Sequence, residues 1–116
     1  MTEQGTASQK IIEEVTSWPG VKAGPGDRGS SVSFKLGRRE IGHLHGDHAA
    51  HFGFPKQVWS DLRQQGRIEP HPVFPDSQGP ASRRIVEEAD VPEVIELLRL
   101  NYDCLVSHHG LPKDTP

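Results

Sequence analysis

Apolar and polar residues alternate over Ser31–Leu36: Val32, Phe34 and Leu36 fall on one side, and Ser31, Ser33 and Lys35 on the other. Period two predicts a half-buried strand. Gly37-Arg38 suits a two-residue hairpin turn with glycine at the positive-φ position. A return strand is expected from Arg39 to His45. In regular register Leu36 faces Arg39, Phe34 faces Ile41 and Val32 faces His43. His43 and His45 are therefore expected on the core face, beside Phe34 and Val32. A third strand is expected over residues 48–54. There Ala50, Phe52 and Phe54 share one parity, and Ala49, His51 and Gly53 the other.

Helical spacing appears in three places. Ile11, Ile12, Val15 and Trp18 form a stripe on a helix capped by Ser8 and stopped by Pro19-Gly20. Pro55 leads a second helix, with Val58, Trp59 and Leu62 on its buried side and Gly66 as its stop. Asp90-Val91-Pro92-Glu93 reads as an N-cap with an early proline. It opens a long helix to about residue 106, whose apolar face includes Leu97, Leu98, Asn101 and Tyr102. Residues 21–23 suit a short strand, and residues 81–86 a weak one in which Arg83 or Arg84 must be exposed or paired. The expected fold is α+β: a single domain, with an antiparallel sheet of four to five strands and three helices packed mainly on one face. Residues 1–8 are expected to be a flexible start, 9–106 the domain and 107–116 a flexible tail with His108 and His109.

Composition narrows the function classes. The chain has 116 residues, enough for one core without staples. Net charge is −3, which argues against bulk attraction to nucleic acid or anionic membranes. No apolar run approaches the roughly 18 residues of a membrane span. The start of the chain lacks a signal-peptide core. The single cysteine, Cys104, has no internal disulfide partner and reads as helix packing. The expectation is a cytoplasmic protein, monomeric or homodimeric. Gly24-Pro25-Gly26 lacks the Lys-Ser/Thr of a phosphate-binding loop and reads as a plain loop.

Several stretches together carry a resemblance. They are Trp18-Pro19-Gly20-Val21, Glu40-Ile41-x-His43-x-His45, Glu69-Pro70-His71, Phe74-Pro75-Asp76, and Asp90-Val91-Pro92 with Leu97-Leu98-Arg99-Leu100-x-Tyr102. They resemble the small bacterial "luciferase domain" family, for which the resemblance implies no established activity. The element order is also similar to YjbR-like (MmcQ) proteins. That likeness implies a compact antiparallel sheet and, by analogy, DNA binding; Arg38, Arg39, Arg63, Arg67, Arg83 and Arg84 are the residues that would converge as an anion or nucleic-acid patch. The chain departs from both groups at Gly79-Pro80-Ala81-Ser82-Arg83-Arg84, where an apolar strand is usual.

The candidate chemistry lies in the histidines. His43, His45, Asp47 and His48 spell H-x-H-x-D-H, the string of metallo-β-lactamase-type binuclear zinc hydrolases. That fold is an αββα sandwich needing a much longer chain, and here the string sits inside a hairpin. A simpler site remains: His43 and His45 at i and i+2, joined by Asp47, His48 or His71, around zinc or another divalent metal. The competing reading is that His43 and His45 are satisfied by the sheet or by Glu40, Asp61 or Tyr102. The function expected is a non-enzymatic binding or interaction module. Its small-ligand or protein-partner site would lie near His43, His45 and His71. The alternative is a metal-dependent enzyme on His43 and His45.

Overall fold

The alternating hairpin is the centre of the computed structural model, which describes residues 6–26 and 31–112. The elements run α1 (Ala7–Val15), β1 (Val21–Pro25), β2 (Ser31–Leu36), β3 (Arg39–His45), β4 (Ala49–Gly53), α2 (Lys56–Gln64), β5 (Glu69–Pro70), β6 (Pro80–Arg84) and α3 (Asp90–His109). The strands form one antiparallel sheet, in the order β1-β2-β3-β4-β6-β5. The α+β class holds, with six strands in place of four to five. The additional one is β5, too short to show alternation and half proline. Pro25 and Pro70 both sit on edge strands, where a missing N–H leaves no gap in the ladder.

One face of the sheet carries the core. Ile11 and Val15 of α1 and Val94, Leu97 and Leu98 of α3 are fully buried, as are Phe34, Leu44, Ala50 and Ala81 of the sheet. The Trp59 indole N–H of α2 donates to the Pro80 carbonyl at 2.9 Å, tying that helix to the start of β6. Tyr102 closes the other end, its hydroxyl donating to the Pro19 carbonyl at 2.7 Å.

The hairpin register departs from the regular one. Leu36 pairs with Arg39 and Lys35 with Glu40, as a two-residue loop requires, and Gly37 supplies the positive φ of 66°. Phe34, however, pairs with Gly42. Ile41 is the extra residue of a β-bulge, without a strand partner in β2 or β4. Every later pair is displaced by one: Ser33 faces His43, Val32 faces Leu44 and Ser31 faces His45. A one-residue displacement exchanges the two faces of a strand. The expectation that His43 and His45 share the core face with Phe34 and Val32 is thereby overturned. Both lie on the outer face, with Ser31 and Ser33.

Helix α3 holds the bulge in place. The buried Asn101 amide donates to the Ile41 carbonyl at 2.8 Å, so the helix bonds the one strand residue of the hairpin that has no partner in the register. Gly42 lies directly beneath the same helix. A Cβ there would stand 2.7 Å from Leu98 Cδ2 and 2.9 Å from the His51 carbonyl oxygen.

Helix ends also differ from expectation. Thr6, not Ser8, caps α1, in a capping box with Gln9. Asp90 does not cap α3. Its carboxylate accepts from the Val86 and Glu87 N–H groups and from Arg83, which together hold it down to about 2. It braces the corner between β6 and α3. That helix runs to His109, so His108 and His109 form its last turn and not a tail. Residues 1–5, 27–30 and 113–116, where a flexible start, a glycine-rich loop and the rest of the tail were expected, lie outside the described residues.

Candidate metal centre

Beyond the bulge, strand pairing stacks polar side chains across the outer face. His43 of β3 pairs with His51 of β4, and His51 with Ser82 of β6. His45 stands two residues along from His43, on the same face. The His45 and His51 ring centroids are 4.3 Å apart, and those of His43 and His45 4.9 Å. One ring nitrogen from each of the three histidines lies within 4.8 Å of the others. His45 Nε2 and His51 Nδ1 are 3.1 Å apart. Nitrogens around one tetrahedral zinc ion are separated by about 3.4 Å. That pair already has ligand spacing, and the widest separation exceeds it by at most about 1.4 Å.

The first of these histidines has a fixed orientation. His43 Nδ1 is 3.3 Å from Glu40 Oε1, and the Ser33 hydroxyl donates to Glu40 Oε2 at 2.6 Å. Residues three apart on a regular strand point to opposite faces; the bulge at Ile41 brings Glu40 and His43 to the same one. The His43 bond, with help from Ser33 and against burial, holds the Glu40 carboxyl below its usual range. With Nδ1–H donating to a carboxylate, His43 offers Nε2 as its free donor atom, the arrangement found behind metal-bound imidazoles.

His51 is the most enclosed of the three. Burial first, then the His45, His71 and His43 rings, lowers it from 6.5 to about 4. It is neutral at pH 7, as a metal ligand must be. A lowered histidine also links pH to stability. The unfolded chain takes up its proton near 6.5 and the folded chain only near 4, so stability is full above this window and is lost as pH falls through it. The melting temperature of metal-free protein is expected to fall more steeply across that window than that of His51→Gln. Equal slopes would show that His51 is not desolvated.

His71 joins the group from the segment after β5, its ring centroid 4.3 Å from that of His51. Its Nδ1 accepts the Val73 N–H at 3.0 Å, so in the neutral ring Nε2 carries the proton and acts as a donor. Burial, then His43 and His45, lowers its pKa. The other expected site residues are placed elsewhere. Asp47 accepts the Ser8 N–H at 2.8 Å, a bond that holds its carboxyl low and ties α1 to the β3–β4 turn. His48 is exposed. Neither belongs to the three-nitrogen group, whose third member, His51, the H-x-H-x-D-H string does not contain.

A cleft of about 720 Å³ opens over these side chains. Its lining runs from Lys35 and Arg38 at the β2–β3 hairpin, across His43, His45 and His51, to His71, Pro72, Val73 and Phe74. Three of the six arginines expected to converge on an anion or nucleic acid are paired with carboxylates. Arg67 pairs with Glu96, Arg83 with Asp90 and Arg84 with Glu69.

Fold and site together describe a small α+β domain with a histidine-lined cleft on the outer face of its sheet. The chain belongs to the luciferase-domain family: the family model described as Luciferase domain matches residues 38–101, more than half of its length. The matched region holds the bulge, Glu40, the four clustered histidines and Asn101. Comparison with curated proteins and with solved structures gives no match. Among the described residues, no helix is long and apolar enough to cross a membrane.

Proposed function

We propose that this domain is a metal-dependent binding module. His43, His45 and His51 hold one first-row divalent ion, zinc above all, and its remaining coordination position takes a small ligand from the cleft. The observation that carries this reading is the gathering of three imidazole nitrogens within 4.8 Å on two adjacent strands. Imidazole suits zinc, copper and nickel rather than the oxygen-seeking magnesium and calcium. Three protein ligands leave a fourth tetrahedral position, and the cleft is where it opens. The Glu40–His43 contact supports the same assignment. His71 has Nδ1 engaged and serves the ligand as a donor, not the metal.

The open position also favours a second reading, metal-dependent hydrolysis, because a zinc-bound water is acidified into a nucleophile. The nucleic-acid alternative draws less support, since three of the expected arginines are neutralised by carboxylates. The family name supplies no reaction.

The test is zinc titration of the full chain, purified without a histidine tag, against a chelating dye. Saturation at one equivalent, with a rise in melting temperature, is the expected result. Failure to compete with the dye at any protein concentration would remove the proposal. Zinc-dependent cleavage of nitrophenyl acetate by the loaded protein, lost in the His51→Ala variant, would move the assignment to the hydrolytic reading.

A further inference from the structure

The cleft is chemically lopsided. Lys35 and Arg38 supply positive charge at its hairpin end, and Arg38 has no ion-pair partner among the described residues. Glu40 is the one carboxylate among the described lining residues, and His43 and Ser33 already occupy it. The far end is apolar. Val73 is 63% exposed and Phe74 52%, although most of the large apolar side chains in the described chain are buried. Their segment is not slack: the Val73 N–H donates to His71 Nδ1, and the Phe74 and Ser77 N–H groups donate to the His71 and Phe74 carbonyls. Adjacent exposed apolar side chains held on a turn beside a polar floor offer a wall that a ligand's apolar body can cover. The volume, about 720 Å³, accommodates a ligand well beyond a water or a simple ion.

We infer that the ligand is a small amphiphilic carboxylic acid. Its carboxylate completes the coordination of the metal and faces Arg38, and its apolar body lies against Val73 and Phe74. This rests on the metal reading above and adds the ligand's chemical class. A bare inorganic anion would satisfy the cations and leave the apolar wall wet. An uncharged apolar molecule would cover the wall and leave the metal and Arg38 without a counter-charge.

The experiment compares acetate, phenylacetate and phenylethanol by calorimetry on the zinc-loaded full chain. Phenylacetate is expected to bind about tenfold or more tightly than acetate, from the added buried ring, and phenylethanol more weakly than phenylacetate. In the Phe74→Ser variant the ratio of phenylacetate to acetate affinity should collapse toward one. Arg38→Ala should weaken both acids. If zinc binds and phenylacetate gains nothing over acetate, the ligand class is wrong while the metal reading stands. If phenylacetate gains but Phe74→Ser keeps the ratio, the apolar wall is misplaced and the inference falls. If zinc itself does not bind, both readings fall together.

Discussion

Gly42→Val is expected to cost about 3 kcal/mol of folding stability, the upper end of what overpacking a core does. The position has no room. A Cβ meets Leu98 of α3 on one side and the β4 backbone on the other, and only the leucine can give way. The companion change, Asn101→Leu, keeps the side-chain volume but strands the Ile41 carbonyl, at a cost of about 1–3 kcal/mol. Urea unfolding followed by the fluorescence of Trp18 and Trp59 measures both. A net stability of roughly 5–15 kcal/mol makes either loss easy to see. The two changes act on one device, α3 pressed onto the bulge, so their combined effect should fall short of the sum. Midpoints unchanged in both variants would mean that α3 does not clamp the bulge.

His51→Ala is expected to produce the largest functional loss. Removing the partner behind a metal ligand lowers affinity by about 10–100-fold, and removing a ligand outright does more. The expected series for zinc affinity is therefore Glu40→Gln reduced within that range and His51→Ala reduced beyond it. His48→Ala should stay near the wild type, because His48 is exposed outside the three-nitrogen group. Competition against a chelating dye measures the series. A loss for His48→Ala, with His51→Ala near the wild type, would restore the H-x-H-x-D-H string as the ligand set and contradict the geometry.

Much of the fold was legible because it follows local rules. The two-residue turn at Gly37-Arg38, the proline-led α2 and the long apolar stripe of α3 each rest on neighbours within one or two helical turns or one hairpin. What period-two reasoning missed was a single residue. Ile41 carries no mark of a bulge, and regular pairing is the natural first assumption. That one insertion reversed the assigned face of both histidines and brought Glu40 alongside His43. The signal that was available lay sixty residues away, in Asn101. An amide in an apolar helical stripe requires a buried partner, and the carbonyl of a bulged strand residue is one.

The site was half legible. Glu40 was among the partners expected for His43, and His71 was expected in the ligand site and lines the cleft. His51 was passed over, although its parity is opposite to that of Ala50, Phe52 and Phe54 and so marks it as outward-facing. Only after His43 and His45 are turned outward does His51 become their neighbour across the β3–β4 ladder. Asp47 and His48 were drawn in by sequence proximity. Their backbone reverses direction at Gly46, which has a positive φ of 58°, and Asp47 is spent on the start of α1. Asp90 shows the same limit. Its cap-like sequence context is real, but its carboxylate is committed to the chain before the helix and to Arg83.

X-ray absorption at the zinc edge of the loaded, tag-free protein bears most directly on the central claim, that three outer-face histidines hold the ion. The account predicts four light-atom neighbours at about 2.0–2.1 Å, with the outer-shell pattern of three imidazoles. In His51→Ala that pattern should drop to two imidazoles or the zinc should be lost. A shell made only of oxygens, or a three-imidazole pattern that survives His51→Ala unchanged, would contradict it.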